Sequence, residues 1–388
     1  MITMKNQAIV NPRNSAAGFS LIEMIVSMGV TVVIMGAVMQ TMSSAIRANQ
    51  STLLVTGMNA NLRTGMDLMT RDLLQTGQGL PGGGVILIPA GAGSSQLRLP
   101  GPPGTAYKSV VGDTDISAVT PGPGLGPVIN GVATDMITML EADSAFDHKN
   151  LLALAADGSS MTVSKPQPDG STCDISNGGP DDVLPGQLIL LTKGSAAALV
   201  QVTSVDGDQK AFFAANDSLN LNQPGAAAGN ITALLATVPA DTLPALPAPQ
   251  YVPTLATRIR MISYYIDVTT VPARPRLVRR MNNGNPLTFD NTLGNVVAFD
   301  VEGLTISYDI NDSATNPSGV RFTASDIAGT GACNPNPCNM NQIRKVSAIL
   351  TGRSPIVSQA SGQFFRNSLA TEVALRSLAF VDRYTSPP

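Results

Sequence analysis

Met24 to Ile46 is a run of 23 residues without a charged side chain. As a helix rising about 1.5 Å per residue it is about 34 Å long, enough to cross the hydrocarbon core of a bilayer. Arg47 closes the run. Residues 1–18 (MITMKNQAIVNPRNSAAG) hold Lys5 and Arg13 and no acid. That bias predicts a cytoplasmic N-terminus and an exported C-terminal body.

Two details go beyond a generic anchor. Glu23 stands at the start of the apolar run, where an unpaired carboxylate costs several kcal/mol. Gly18, preceded by Ala16 and Ala17, offers a small residue on which a peptidase can close. Cutting after Gly18 frees an amine on Phe19, four residues from Glu23. In a stack of helices shifted along a common axis, one subunit's amine meets its neighbour's carboxylate and both charges are neutralised. Other readings of the segment are an uncleaved anchor, or a secretory signal cut after Ala45 in Ser43-Ser44-Ala45. The second leaves Glu23 inside the apolar region.

Gly18-Phe19-Ser20-Leu21-Ile22-Glu23 resembles the class III signal of type IV prepilins and type II secretion pseudopilins. The resemblance implies a membrane aspartyl peptidase that cuts after Gly18 and methylates the amine of Phe19, with Glu23 as the assembly carboxylate. Looser likenesses, among them LRTGMDLMTRDLLQTG, IRMISYYI and IRKVSAILTGRS, resemble the PilW-type minor pilins, and the helix-end and C-terminal patterns resemble GspJ-type pseudopilins. The implied fold is α+β, the type IV pilin fold. A long N-terminal helix, its first half transmembrane, packs on an antiparallel sheet with a β-rich insertion.

The residues themselves carry the helix further. No Pro occurs between Pro12 and Pro81, and Leu54, Met58, Leu62, Met66, Met69 and Leu73 recur at three- and four-residue spacing. Gly77, Gly79 and Pro81-Gly82-Gly83-Gly84 end the pattern, so one helix is expected from about 19 to 75. Met24, Met28, Met35, Met39 and Met42 form a stripe that reads equally as an adaptable interface or as membrane-depth packing. Beyond Gly77, segments near 135–141, 187–192, 197–203, 257–267, 276–281, 295–300, 303–310, 342–352 and 371–381 read as strands. Residues 81–131 read as long surface loops and 224–254 as a connector. The expected division is a leader at 1–18, a membrane and filament-core helix at 19–46, its amphipathic half at 47–80, β-rich loops and an inserted subdomain at 81–250, and a C-terminal antiparallel sheet at 251–388.

Composition excludes several functions. Charged residues make up 13% of the 388 and the net charge is −3, so no basic field draws the chain to nucleic acid. His148 is the sole histidine and reads as an exposed loop residue, which leaves no multi-His metal site. Asp309-Ile310-Asn311-Asp312-Ser313 opens like a calcium loop but has Ala314 where Gly is needed and Val320 where Glu is needed. Arg274, Arg276, Arg279 and Arg280 form the one basic cluster, read as a solvated strand edge or as a contact for DNA or an acidic partner. Cys333 and Cys338, in Cys-Asn-Pro-Asn-Pro-Cys, read as a disulfide across a tight loop or as two free thiols, with Cys173 left over. No enzyme motif and no cofactor site is found.

The leading expectation is a minor pilin that helps to initiate a type IV pilus. It would be anchored by one span in the inner membrane with its body in the periplasm, then carried in a filament at the cell surface. Its expected partners are prepilin peptidase, other pilins or pseudopilins, the inner-membrane assembly platform and the lipid bilayer. The alternatives are a type II secretion pseudopilin, or a tip adhesin or DNA-uptake pilin. The paucity of aromatics (4%) disfavours ligand stacking in the loops.

Overall fold

The computed structural model describes residues 18–81, 85–88, 97–102, 115–146, 148–165, 167, 170, 174–176, 182–194, 196–215, 217–222, 231, 234, 254–269, 271–282, 294–311, 318–322, 340–359 and 361–378. Cys173, Cys333, Cys338, the leader through Ala17, and residues 312–317 of the calcium-like loop lie outside the described residues.

Helix α1 runs unbroken over Leu21–Gln75, 55 residues and about 82 Å at the usual rise. Residues 21–50 are exposed all round, whereas Met58, Leu62, Gly65, Met66, Met69, Asp72 and Leu73 are buried. The apolar spacing read from the sequence is thus the face that meets the body. Burying its five large apolar side chains contributes roughly 10 kcal/mol before entropy is subtracted.

The strands among the described residues are β1 (Val85–Leu87), β2 (Asp115–Ser117), β3 (Val119–Gly122), β4 (Val128–Ile129), β5 (Val132–Ala133), β6 (Met136–Ala142), β7 (Lys149–Leu154), β8 (Ser160–Val163), β9 (Leu188–Lys193), β10 (Ala196–Gln201), β11 (Ser204–Asp206), β12 (Lys210–Phe212), β13 (Leu255–Asp267), β14 (Arg276–Met281), β15 (Asn295–Phe299), β16 (Val301–Ile310), β17 (Ile343–Arg353) and β18 (Arg366–Ala374). All the ladders are antiparallel. Long β13 organises the larger sheet. One of its edges holds β9 along Leu255–Ile259 and β14 along Ile262–Asp267; the other holds β7 at Leu255–Ala256 and β6 along Ile259–Tyr264. A second sheet has the order β16-β17-β18. The α+β architecture of a long N-terminal helix on antiparallel sheet is therefore present.

Alternation along β13 sorts its side chains between two cores. Ile262, Tyr264 and Ile266 join the helix, Leu277, Ala298 and Leu350 in one. Met261 and Tyr265 turn to the other, with Leu188, Leu190 and Leu199. A third core lies around Met161, Val163, Ile189 and Ala211.

The helix and sheets are held in a defined direction. Asn367 Nδ2 donates to Asn59 Oδ1 at 2.8 Å, and Gly77 packs against Leu378, so β18 runs parallel to α1. Asn61 Nδ2 donates to Phe299 O, while Phe299 N donates to Asn61 Oδ1 at 3.2 Å. A helix side chain thereby supplies both partners that another strand would have given that residue of β15.

Three readings from sequence need correction. Residues 81–131 are not only surface loop: Ile86, Ile88, Leu97, Leu99, Ile116 and Val119 are buried, and strands β1 to β4 fall there. The arginine cluster is not a solvated edge, because β14 lies between β13 and β15. Arg274 pairs with Asp300 at 2.6 Å, Arg276 with Asp267, and Arg279 with Asp72 at 2.6 Å, while buried Arg280 donates to Gly101 O. These cations hold the body together. The last strand begins at Arg366, five residues before expectation, and gives way to a 3-10 turn at Arg376–Leu378.

Candidate processing and assembly site

Gly18 and Phe19 precede the helix, and Ser20 is its N-cap in an extended conformation (φ −72°, ψ 148°). Ser20 Oγ accepts from Glu23 N at 3.2 Å, and Met24 N donates to Ser20 O at 3.1 Å. The bond between Gly18 and Phe19 thus lies outside the helix, in open chain that a protease can engage. Nothing lies within 4 Å of a Cβ built on Gly18, and Phe19 is 83% exposed. Among the described residues no contact demands glycine at position 18.

Glu23 occupies the first helical turn, where the partial positive charge of the unsatisfied N–H groups favours an anion. Its side chain is exposed. The next cation along the chain is Arg47, 24 residues on, about 36 Å along a helix. The spacing Ser20-x-x-Glu23 is the signature of a capping box, which the reading from sequence passed over. The cap fixes where the helix starts, and so sets Glu23 four residues beyond the amine that cleavage would expose.

Four of the five hydroxyls inside the apolar run bond the helix's own carbonyls. Ser27 Oγ donates to Met24 O at 2.9 Å, Thr31 Oγ1 to Ser27 O at 2.7 Å, Thr41 Oγ1 to Val38 O at 2.9 Å and Ser44 Oγ to Gln40 O at 3.0 Å. Such back-bonding removes most of the cost of placing them in lipid. By length and composition this helix can cross a membrane, and none of its apolar window is buried in the protein.

Residues 13–39 match the prokaryotic N-terminal methylation motif.

The match covers Gly18, Phe19, Glu23 and most of the apolar run, and supports a type IV pilin-like or pseudopilin-like chain. Proteins with this motif are generally structural rather than enzymatic. No curated protein and no solved structure matches the chain.

At the far end of the helix lies a polar joint that the sequence did not announce. Asp72, on the buried face, accepts from Tyr264 Oη at 2.7 Å and from Arg279 Nε at 2.6 Å. Glu141 of β6 is buried nearby. Its Oε1 is 3.6 Å from Arg260, and its Oε2 has no hydrogen-bond partner. Burial, then the charge of Asp72, push the Glu141 carboxyl up to about 7, against the pull of Arg260 and Arg279. Burial and Asp72 also raise Tyr264, which keeps its proton as a donor. Asp143 has the opposite outcome: burial pushes it up, but the Ala145 N–H, Arg258 and Arg260 outweigh this and hold it low. The one sequence cue for the joint is that Asp72 falls three residues after Met69, on the apolar face.

His148 is exposed, with Nδ1 2.7 Å from Thr257 Oγ1. Among the described residues no group of three His, Cys, Asp or Glu side chains is placed to hold a metal.

Proposed function

We propose that the chain is a minor pilin. Prepilin peptidase cuts it after Gly18 and methylates Phe19, and it then enters and helps to initiate a type IV pilus. The observation that carries this reading is the methylation motif at 13–39 lying on an exposed apolar helix that is continuous with a folded body. In this reading the helix is first a membrane anchor with the body in the periplasm, and then a filament-core element among other pilins. Glu23 takes the Phe19 amine of a neighbouring subunit. A body of several sheets is bulky for a repeating shaft subunit and is easier to place at a tip or at low copy number.

Processing tests the reading directly. Mature protein has 388 − 18 = 370 residues, begins at Phe19 with one added methyl group, and has net charge −5 after loss of Lys5 and Arg13. Gly18→Val keeps the leader attached. Intact-mass analysis of the membrane fraction measures both. A mature N-terminus at Ile46 would replace the proposal with a secretory signal. Loss of pili on deleting the gene, with secretion intact, separates a pilus subunit from a pseudopilin.

A further inference from the structure

We infer that the end of the body nearest the apolar helix is a lipid-facing platform, which rests on the anionic phospholipid surface of the membrane that α1 enters. This inference depends on the anchored reading of α1 given above.

The strand directions identify that end. Since β18 runs parallel to α1, the residues that precede it, 354–359 and 361–365, lie on the side of the apolar half. Strand β14 starts opposite Phe299, whose backbone bonds Asn61, and reaches Asp72 through Arg279, so it too runs with the helix. The turn before it, residues 268–269 and 271–275, therefore lies at the same end. Arg353 donates to Ala273 O and joins the two turns.

This end reaches close to the apolar run. Residues 21–50 are exposed throughout, but Ser51, Leu54 and Val55 are partly covered. Ser51 is five residues past Ile46, about 8 Å along a helix, which is close to the thickness of one headgroup layer. Moderate helix tilt brings the platform closer still.

Its surface suits lipid headgroups. Ile356 is 61% exposed, Phe299 48%, and Val271 and Val357 42% each. Arg274 and Arg366 are nearly half exposed, while their partners Asp300 and Glu302 are buried behind them. Segments 47–59, 268–276 and 353–366 contain five arginines and no Asp or Glu, in a chain whose net charge is −3. Apolar tips beside cations, with the anions turned inward, complement an anionic interface, to which each cation adds attraction that salt screens.

The chain has no tryptophan, so a single introduced Trp reports one place. Full-length protein carrying Ile356→Trp, Leu152→Trp or Val33→Trp is reconstituted into vesicles of phosphatidylcholine with or without phosphatidylglycerol, containing acyl chains brominated near the headgroup or deep in the core. Leu152 is an exposed residue of β7, which pairs with the far end of β13. Expected is blue-shifted emission from Ile356→Trp, quenched by the shallow bromines when phosphatidylglycerol is present, and relieved by salt or by its omission. Leu152→Trp should stay unquenched, and Val33→Trp should be quenched by the deep bromines in both vesicles. If Ile356→Trp behaves like Leu152→Trp while Val33→Trp is quenched, the anchor stands and the platform is overturned. If Val33→Trp is not quenched, the anchored reading falls first. A shift of Ile356→Trp that is equal in both vesicles and grows with protein density points to contact between copies and also overturns the proposal.

Discussion

A methyl group on Gly352 would meet Leu62, whose Cδ2 lies 2.8 Å from the position that a Cβ would take. The glycine of β17 thus lets the helix settle against the sheet. Gly65 does the same from the helix side, with Ala298 and Leu277 each 3.1 Å from its absent Cβ. Two backbones approach closely where each element gives up a side chain.

Gly352→Ala should therefore destabilise the body by about 1–3 kcal/mol through overpacking. Leu62→Ala alone opens a cavity, at about 2–4 kcal/mol. Combined, the two should cost clearly less than their sum, because each relieves the other. Denaturant melts of the full chain in detergent give the cycle, and strict additivity would show that the contact does not limit packing.

Asp72 ties the last turns of the helix to β13 and β14. Asp72→Ala leaves the Arg279 guanidinium and the Tyr264 hydroxyl without their carboxylate, and should cost about 3–5 kcal/mol. Asp72→Asn keeps an acceptor for Tyr264 and should cost less. The change should appear as faster amide exchange in the final helical turns as well as in global stability. A loss below about 1 kcal/mol for the alanine variant would mean that the joint is not tight in solution.

Glu141 makes stability fall as pH rises. Its folded pKa, about 7, stands above the ordinary 4.5, so the folded state binds the extra proton between those values. The stabilisation is whole below about 4.5, declines through the window and is lost above about 7. Glu141→Gln should thus stabilise the protein at pH 8 by about 1–2 kcal/mol, with little effect at pH 4. Asp72→Asn should lower the Glu141 titration, since the Asp72 charge helps to raise it. Thermal melts from pH 4 to 8 decide this; a pH-independent difference between wild type and Glu141→Gln would refute the assignment.

What was legible in the sequence follows from local patterns. The helix and its buried face came from spacing, and β13, β14 and β17 came from alternation that each strand carries alone. The N-terminal motif is likewise contiguous, so its residues could be named without a fold. The joint was not legible, because Asp72, Glu141, Tyr264 and Arg279 are far apart in the chain and meet only when β13 is placed under the helix. Arg274, Arg276 and Arg279 were misread for the same reason: their carboxylates come from the β15–β16 junction, β13 and α1. Strands β7 and β8 were overlooked because their burial alternates irregularly, and a register shift between Leu151 and Ala153 interrupts the pairing.

Glu23 carries the last prediction. It stands in the first turn of a helix that is exposed along its whole apolar half, with no Lys or Arg from Phe19 to Ile46. No side-chain cation on that stretch can neutralise it, and in the proposed filament its partner comes from a neighbouring subunit. The amine at Phe19 of a neighbour shifted along the filament axis is such a partner. Glu23→Ala removes a carboxylate from membrane depth, so the anchored monomer should be no less stable. The Ser20 cap remains, because it bonds the backbone N–H of residue 23 and not its side chain. Cleavage after Gly18 should persist, since the cut lies in open chain before the cap. Assembly should fail, because an incoming amine would be buried without its counterion at a cost of several kcal/mol. The variant should appear fully processed in membranes and be absent from sheared filaments, with filaments lost altogether where this subunit is needed for initiation. Glu23→Gln separates charge from shape: it keeps the volume and a hydrogen-bond acceptor, and should fail like the alanine variant if neutralisation is the requirement. Incorporation of either variant at the wild-type level would mean that the body's contacts alone place this subunit.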